Sequence, residues 1–345
     1  MAKRTCLMVG GGGMAANWIQ IFTDNFSDRV EIVGLVDVNT EVLAAQSKAL
    51  GLSTSQCFTD FNEACVEVKA DFCGIATPPK FHSPAAIAAM ENGMPVICEK
   101  PIADNWDAAK AMVYTAQKTG VPCTIIQNYR YADNKQELIR IRDEGRLGDL
   151  QYVVGRYGCN FLRYSEWGAW RHDMDFGLLI EGAVHHLDML RFLSGGDCET
   201  LIGFGWNPEW SSFRHYSSGF YLMRMDNGVH TSYEGNSSAA GIEYCWNHES
   251  YRAEFEKGTV QIGGGNQMVI HRVGGETEVY AAPLVHYEHH HHLFNEFLNW
   301  INGGKPSETR VEDNIKSFVL VIAAMETTVD GQPKQIANYL NGLNL

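Results

Sequence analysis

Thr5-Cys6-Leu7-Met8-Val9-Gly10-Gly11-Gly12-Gly13-Met14-Ala15 is the stretch whose reading decides the fold. Thr5–Val9 is apolar and reads as a buried strand that breaks at once into glycine and resumes as a helix. Gly10, Gly12 and Ala15 fill the three small-residue positions of a G-x-G-x-x-A turn. The first permits a tight turn, the second lets the main chain approach a pyrophosphate, and the third lets the helix pack on the strand. The first amides of that helix and the positive end of its dipole then point at the phosphates. Gly10, Gly12, Gly13 and Met14 are therefore candidate phosphate contacts. A glycine cluster also makes plain turns, so the context matters: a strand before, a helix after, and an acid closing the second strand. That acid is Asp37, at the end of Val30–Val36, about where a carboxylate hydrogen-bonds an adenosine ribose. It would repel the extra phosphate of NADP, and Val38-Asn39-Thr40 brings no arginine, so NAD is expected over NADP. A turn or N-cap role is the alternative for Asp37.

Outward from this turn the first third of the chain alternates. Apolar, β-branched runs at Thr5–Val9, Val30–Val36, Phe72–Ala76, Pro95–Cys98 and Pro122–Ile126 read as strands. Asn39 predicts an N-cap for a helix ending at Gly51, Ser83-Pro84 predicts a helix closed at Gly93, and a third runs from Asn105 to Gly120. Such alternation implies βαβ units, a doubly wound parallel sheet of Rossmann type. After Gln127 the texture changes. A helix is predicted over Asn134–Glu144, a strand over Leu150–Tyr157, an aromatic and arginine-bearing loop over Gly158–Phe176, and a helix over Ile180–Leu193. Hairpin signals at Asp226-Asn227-Gly228, Lys257-Gly258, Gly263–Asn266 and Gly274-Gly275 predict an antiparallel meander, and two helices near Leu293–Ile301 and Val311–Thr328 close the chain. The expectation is an α/β chain of two domains: 1–127, a Rossmann nucleotide-binding domain, and 128–345, an α+β domain built on a large, mostly antiparallel open sheet.

Bulk properties agree with a folded, two-domain chain of 345 residues, 45% hydrophobic and 20% charged. A net charge of −14 and the absence of lysine or arginine clusters disfavour nucleic acid. No apolar run approaches membrane-spanning length, and nothing at the start resembles a secretion signal, so the cytoplasm is expected. The nine cysteines stand singly, mostly in apolar runs, which predicts free thiols rather than a disulfide framework.

Two further segments end predicted parallel strands, where such sheets bind ligands. They are Ala76-Thr77-Pro78-Pro79-Lys80-Phe81-His82 and Glu99-Lys100-Pro101. With the glycine turn they resemble the Gfo/Idh/MocA oxidoreductase family, mostly sugar and inositol dehydrogenases. The family's A-T-P-P-x-x-H and E-K-P stand intact. Its D-x-G-x-H-x-x-D helix reads here as Glu181-Gly182-Ala183-Val184-His185-His186-Leu187-Asp188, with Glu181 for the aspartate and Ala183 for the glycine. The resemblance covers essentially the whole chain. It implies that Thr77, Pro78, His82, Glu99 and Lys100 contact the cofactor, and it implies a homodimer or homotetramer packed through the open sheet face.

The residues themselves support the same chemistry. On an α-helix Glu181, His185 and Asp188 are spaced i, i+4, i+7 and share one stripe among apolar neighbours. Oxidising an alcohol needs a hydride acceptor and a base for the hydroxyl proton. His185 is the candidate base, oriented by Glu181 or Asp188, and Lys100 would stabilise developing alkoxide charge and share the proton relay. Pro101 would hold that turn rigid, through a cis bond if one forms. Arg163 and Trp170, from the loop that also holds Trp167, Arg171 and His172, are candidate substrate contacts together with Lys100, Glu181 and His185. The expected reaction is NAD-dependent hydride transfer at a hydroxyl carbon of a carbohydrate, cyclitol or polyol. Two alternatives stay open: glycoside cleavage or isomerisation with tightly held NAD, and a non-catalytic NAD sensor. His289–His292 lacks metal-ligand spacing and reads as a solvated lead-in to a helix, so no metal is expected.

Overall fold

The computed structural model describes residues 3–161, 169–241, 245–246, 248–275, 277–285, 287 and 289–345. The chain forms two compact units, one of Met1–Ile126, Leu293–Ile315 and Leu343–Leu345, the other of Gln127–His292 and Lys316–Gly342.

The first unit is built on six strands: β1 Arg4–Val9, β2 Val30–Val36, β3 Cys57–Phe58, β4 Phe72–Ile75, β5 Val96–Cys98 and β6 Cys123–Ile125. They pair in the order β3-β2-β1-β4-β5-β6, all parallel, which is the doubly wound arrangement. Helices α1 Met14–Asn25, α2 Thr40–Leu50, α3 Phe61–Glu67, α4 His82–Glu91 and α5 Trp106–Thr119 connect them. Asn39 caps α2 by accepting from the amides of Glu41 and Val42, and Gly51 ends it in the left-handed conformation, φ 70°. Asn105 and Gly120 do the same for α5. Ser83 is not a cap: α4 opens one residue earlier, and the Ser83 hydroxyl donates to the Ala108 carbonyl at 2.7 Å. Two short elements go beyond the sequence reading, β3 and the Asp60-capped α3. The core is aromatic. Trp18, Phe22, Phe72, Phe294 and Phe297 are buried and meet edge-on or tilted at centroid distances of 4.7 to 6.4 Å.

The second unit holds β7 Leu150–Gly158, β8 Cys198–Trp206, β9 Ser218–Met225, β10 His230–Asn236, β11 Ser250–Phe255, β12 Gly258–Ile262, β13 Gln267–Arg272, β14 Thr277–Ala281 and β15 Lys334–Gln335. Among the described residues they form one sheet, β14-β13-β12-β11-β7-β10-β9-β8-β15, antiparallel except where β10 runs beside β7. The remaining helices are α6 Asp133–Asp143, α7 Val184–Ser194, α8 His289–Ile301, α9 Val311–Asp330 and α10 Ala337–Leu340. Helix α7 lies against β7 and β10. Beneath it the buried face of the sheet pairs tyrosine with glycine. A Cβ added at Gly203 or Gly219 would strike the Tyr221 side chain, one at Gly235 would strike Tyr233, and one at Gly155 would press on Tyr251. The other face leaves Phe204, Phe220 and Leu222 more than half exposed. Among the described residues no helix is long and apolar enough to cross a membrane.

Three expectations are corrected here. The helix before His185 is not α-helical from Ile180: Leu178–Ala183 is a π turn that passes into α7. Two cysteines are not free thiols, because Cys159 at the end of β7's extension and Cys245 form a disulfide across 86 residues. The histidine run is not a solvated lead-in either; it forms the first turn of α8 and is half-buried.

Phe294→Ala should lower stability by about 3–5 kcal/mol, because Trp18, Phe22 and Phe26 lose a common partner and cannot close the gap; urea denaturation followed by tryptophan fluorescence reads this out.

Candidate active site

In the first unit the glycine turn is shaped by its neighbours. Gly10 takes φ 105°, and a Cβ there would lie 2.6 Å from the Ala76 carbonyl oxygen, so only glycine fits. Ala15 is fully buried behind it. Gly12 differs, since a Cβ would meet only Val42 methyls at ordinary contact distance, and nothing lies within 4 Å at Gly13. Protein packing does not require glycine at Gly12, where the open backbone fits close approach of a pyrophosphate, whereas Gly13 needs glycine for its own backbone, φ 53° and ψ −122°. Helix α1 starts at Met14 with no side-chain cap and no acid in its first turn, which leaves its leading amides to an anion. Asp37 accepts from the amide of Gly11 through Oδ2 and from that of Asn39 through Oδ1, both at 2.8 Å. Each oxygen has a second lone pair for a ribose hydroxyl. The Thr77 hydroxyl, at the end of β4, is buried with no hydrogen-bond partner among the described residues. Uncapped amides, an open glycine cradle and an orphaned hydroxyl fit a dinucleotide.

Other motif residues face inward. Glu99 is buried; its Oε1 accepts from the Trp18 indole at 3.1 Å and its Oε2 from the Lys100 amide at 3.0 Å. It fixes the main chain from which Lys100 projects. The Lys100–Pro101 bond is cis. His82 is fully buried, with Nδ1 2.7 Å from the Pro101 carbonyl oxygen and Nε2 2.7 Å from that of Thr77. A neutral ring has one N–H and serves these acceptors in turn. Burial pulls the ring's pKa below the usual histidine value, against the opposing pull of the two carbonyls and Glu99. His82 thus joins the T-P-P turn to the K-P turn.

In the second unit the π turn and α7 carry the polar groups. Glu181, on the π turn, accepts from Arg171 Nη2 at 3.1 Å, and both side chains are nearly buried. His185 is buried, with Tyr129 stacked flat on its ring at 4.0 Å and 13° and Trp246 edge-on at 6.5 Å. Asp188 does not orient His185. Its carboxylate takes the Arg130 fork at 2.8 and 2.5 Å and the Ser317 hydroxyl at 2.5 Å. The reason is competition: both carboxylate oxygens are turned to Arg130 and one of them also to Ser317. His186 points elsewhere again, Nδ1 to the Tyr233 hydroxyl at 2.8 Å and Nε2 toward Glu249 at 3.5 Å. Burial would raise the Glu249 carboxyl, but His186 and the buried Lys135 outweigh it and hold the pKa below the usual range. A small cavity beside the π turn is lined by Tyr157, Phe161, Arg171, Glu181, Phe213 and Trp246.

Of the candidate substrate residues, Arg163 lies outside the described residues, and Trp170 falls in the 3-10 turn Ala169–Asp173. Sequence reasoning passed over Arg171 as the partner of Glu181, although it stands in the same loop. It also missed Trp246, for which nothing in the sequence gives a signal.

A doubly wound sheet with this glycine turn, followed by an open mixed sheet carrying the Glu181–His185 segment, defines a two-part dinucleotide-binding oxidoreductase. The chain belongs to the Gfo/Idh/MocA oxidoreductase family: residues 4–127 match its NAD-binding Rossmann fold and residues 136–261 a GFO/IDH/MocA C-terminal domain. An uncharacterised protein, y4oX of Sinorhizobium fredii, is 33% identical over 97% of this chain and 96% of its own. A D-apiose dehydrogenase of Paraburkholderia graminis is 24% identical over 95% of this chain and 88% of its own. Among solved structures, an Agrobacterium radiobacter oxidoreductase in complex with NAD+, L-tartaric acid and magnesium shares the fold, with a TM-score of 0.87, 20% identity and coverage of 98% and 99% of the two chains.

Two substitutions separate the structural roles. Gly10→Ala should abolish NAD binding in calorimetry, because the turn cannot close. Asp188→Asn should cost about 3–5 kcal/mol of stability in a denaturant titration, because a buried, bidentate ion pair loses one of its two charges.

Proposed function

We propose that the protein is a dehydrogenase that moves hydride between NAD and a hydroxyl-bearing carbon of a sugar, cyclitol or sugar derivative. The observation that carries this reading is Lys100 at the carboxyl end of β5, its amide locked by Glu99, in a unit whose glycine turn leads into an uncapped helix. NAD supplies the hydride acceptor. Lys100 donates a hydrogen bond to the reacting oxygen and disperses its negative charge. His185 takes the hydroxyl proton. Glu181, steadied by Arg171, accepts from a second hydroxyl, and Arg163 and Trp170 add substrate contacts. Asp37 favours NAD, since its carboxylate opposes a 2′-phosphate. The D-apiose dehydrogenase relative supports a polyhydroxylated substrate. A second copy of the chain covers the apolar sheet face, where Phe204 of β8 stands directly opposite Phe220 of β9.

NADH formation over a panel of sugars, inositols and sugar acids tests the reaction. Lys100→Ala and His185→Ala should each lower kcat/KM on the order of 10²- to 10⁴-fold. Binding of NAD with no NADH from any of them would sink the dehydrogenase reading. Light scattering tests the assembly: Leu222→Glu should reduce the mass in solution, and an unsubstituted protein that is already monomeric would refute it.

A further inference from the structure

The run His289–His292 is the motif that the proposed chemistry leaves unused. Its first and last members meet the 3-10 turn Asn128–Tyr131. His289 sets its ring edge-on to Tyr129, at 6.4 Å and 72°, and His292 stacks flat on Tyr131, at 3.9 Å and 13°. One helical turn of histidines thus grips alternate tyrosines. The Asn128 carbonyl also accepts a hydrogen bond from the His289 ring. His289 Nδ1 is buried with no hydrogen-bond partner among the described residues. Among the described residues other than glycine, His289 alone has a positive φ, 48°, a backbone cost that persists only where its surroundings enforce it.

The same turn is tied to the helix of His185 on both sides of Tyr129. Gln127 Nε2 donates to the Val184 carbonyl at 3.3 Å, and Arg130 holds Asp188. Tyr129 is left between these anchors with its face on the His185 ring.

We propose that Tyr129 is a positioning residue for His185 and that His289, heading the histidine run, is the buttress that fixes Tyr129. The proposal rests on the reading of His185 as the base. A helix fixes the histidine Cβ, but the second side-chain torsion of histidine is broad, so the ring plane needs a separate restraint. A flat stack supplies one while leaving both ring nitrogens at the edge. An aromatic face also attracts a cation, so the ring keeps its place after it takes a proton. The other ionisable groups nearby are already engaged. Asp188 pairs with Arg130, and His186 faces Tyr233 and Glu249. Burial, then the charge of Lys135, hold the pKa of His289 below the usual value, so the buttress stays neutral as His185 charges.

The test has two arms. In the full-length protein carrying ¹³C-labelled histidine, the His185 ring protons, assigned against His185→Ala, should lie upfield of free imidazole through the Tyr129 ring current. They should move back in Tyr129→Leu. Free-imidazole positions in the unsubstituted protein would overturn the proposal without any variant. In steady-state turnover, Tyr129→Leu should lower kcat on the order of 10- to 100-fold. KM should change no more than about twofold, since the loss is of positioning rather than binding. Tyr129→Phe should restore most of the rate, and His289→Asn, which tolerates the left-handed backbone, should fall between. Equal losses in Phe and Leu variants, or a loss confined to KM, would make Tyr129 a substrate contact instead. If His185→Ala keeps its turnover, the base reading fails, while the spectra still decide whether the stack exists.

Discussion

The second unit depends on the fork of Arg130 closing on Asp188, both almost wholly buried. Taking two charges out of water costs several kcal/mol for each, and replacing such a pair with apolar groups is often neutral. Its effect is better sought in geometry. The two bonds are directional, and Ser317 shares one of the carboxylate oxygens, so three segments distant in sequence are set in one orientation. Once Asp188 is committed, the polar stripe of α7 diverges: Asp188 to arginine, His186 to tyrosine and glutamate, His185 to the face of Tyr129.

A similar division holds in the cofactor unit. Motif residues that look like a list of ligands separate into those that hold and those that are held. Glu99 is consumed by Trp18 and the Lys100 amide, and His82 by two carbonyls. Their contribution is to remove freedom from Lys100 and from the T-P-P turn. Preorganised donors act without rearrangement at the moment charge develops, so in the proposed reaction these indirect residues would act through Lys100.

Local signals were legible in the sequence and distant ones were not. The glycine turn, the Asn39 and Asn105 caps and the left-handed glycines at 51 and 120 stand where their chemistry demands, because each is decided within a few residues. The π turn was hidden, since Leu178–Ala183 has the same apolar texture whether its bonds reach four residues back or five. The bond between Cys159 and Cys245, the Arg130–Asp188 pair and the Tyr129 stack join segments far apart in the chain. None leaves a trace in spacing. Arg171 was nearer to hand, ten residues before Glu181, but nothing local distinguished it from the other cations of its loop.

The tyrosine–glycine floor beneath α7 bears on inheritance. Each large ring lies where a neighbouring strand has no side chain, so ring and vacancy are complementary halves of one shape. A methyl gained at Gly219 has no room until Tyr221 shrinks, and a smaller residue at 221 opens a hole that the glycines cannot fill. Either change alone strains or hollows the fold, so the two positions constrain each other. The rings also carry hydroxyls: Tyr221 reaches Thr328 and Tyr233 reaches His186 of α7, whereas those of Tyr157 and Tyr251 find no partner among the described residues. A lineage that exchanged these phenols for phenyl rings would keep the shape and lose, at His186, one of the contacts that keep the helix of His185 in register.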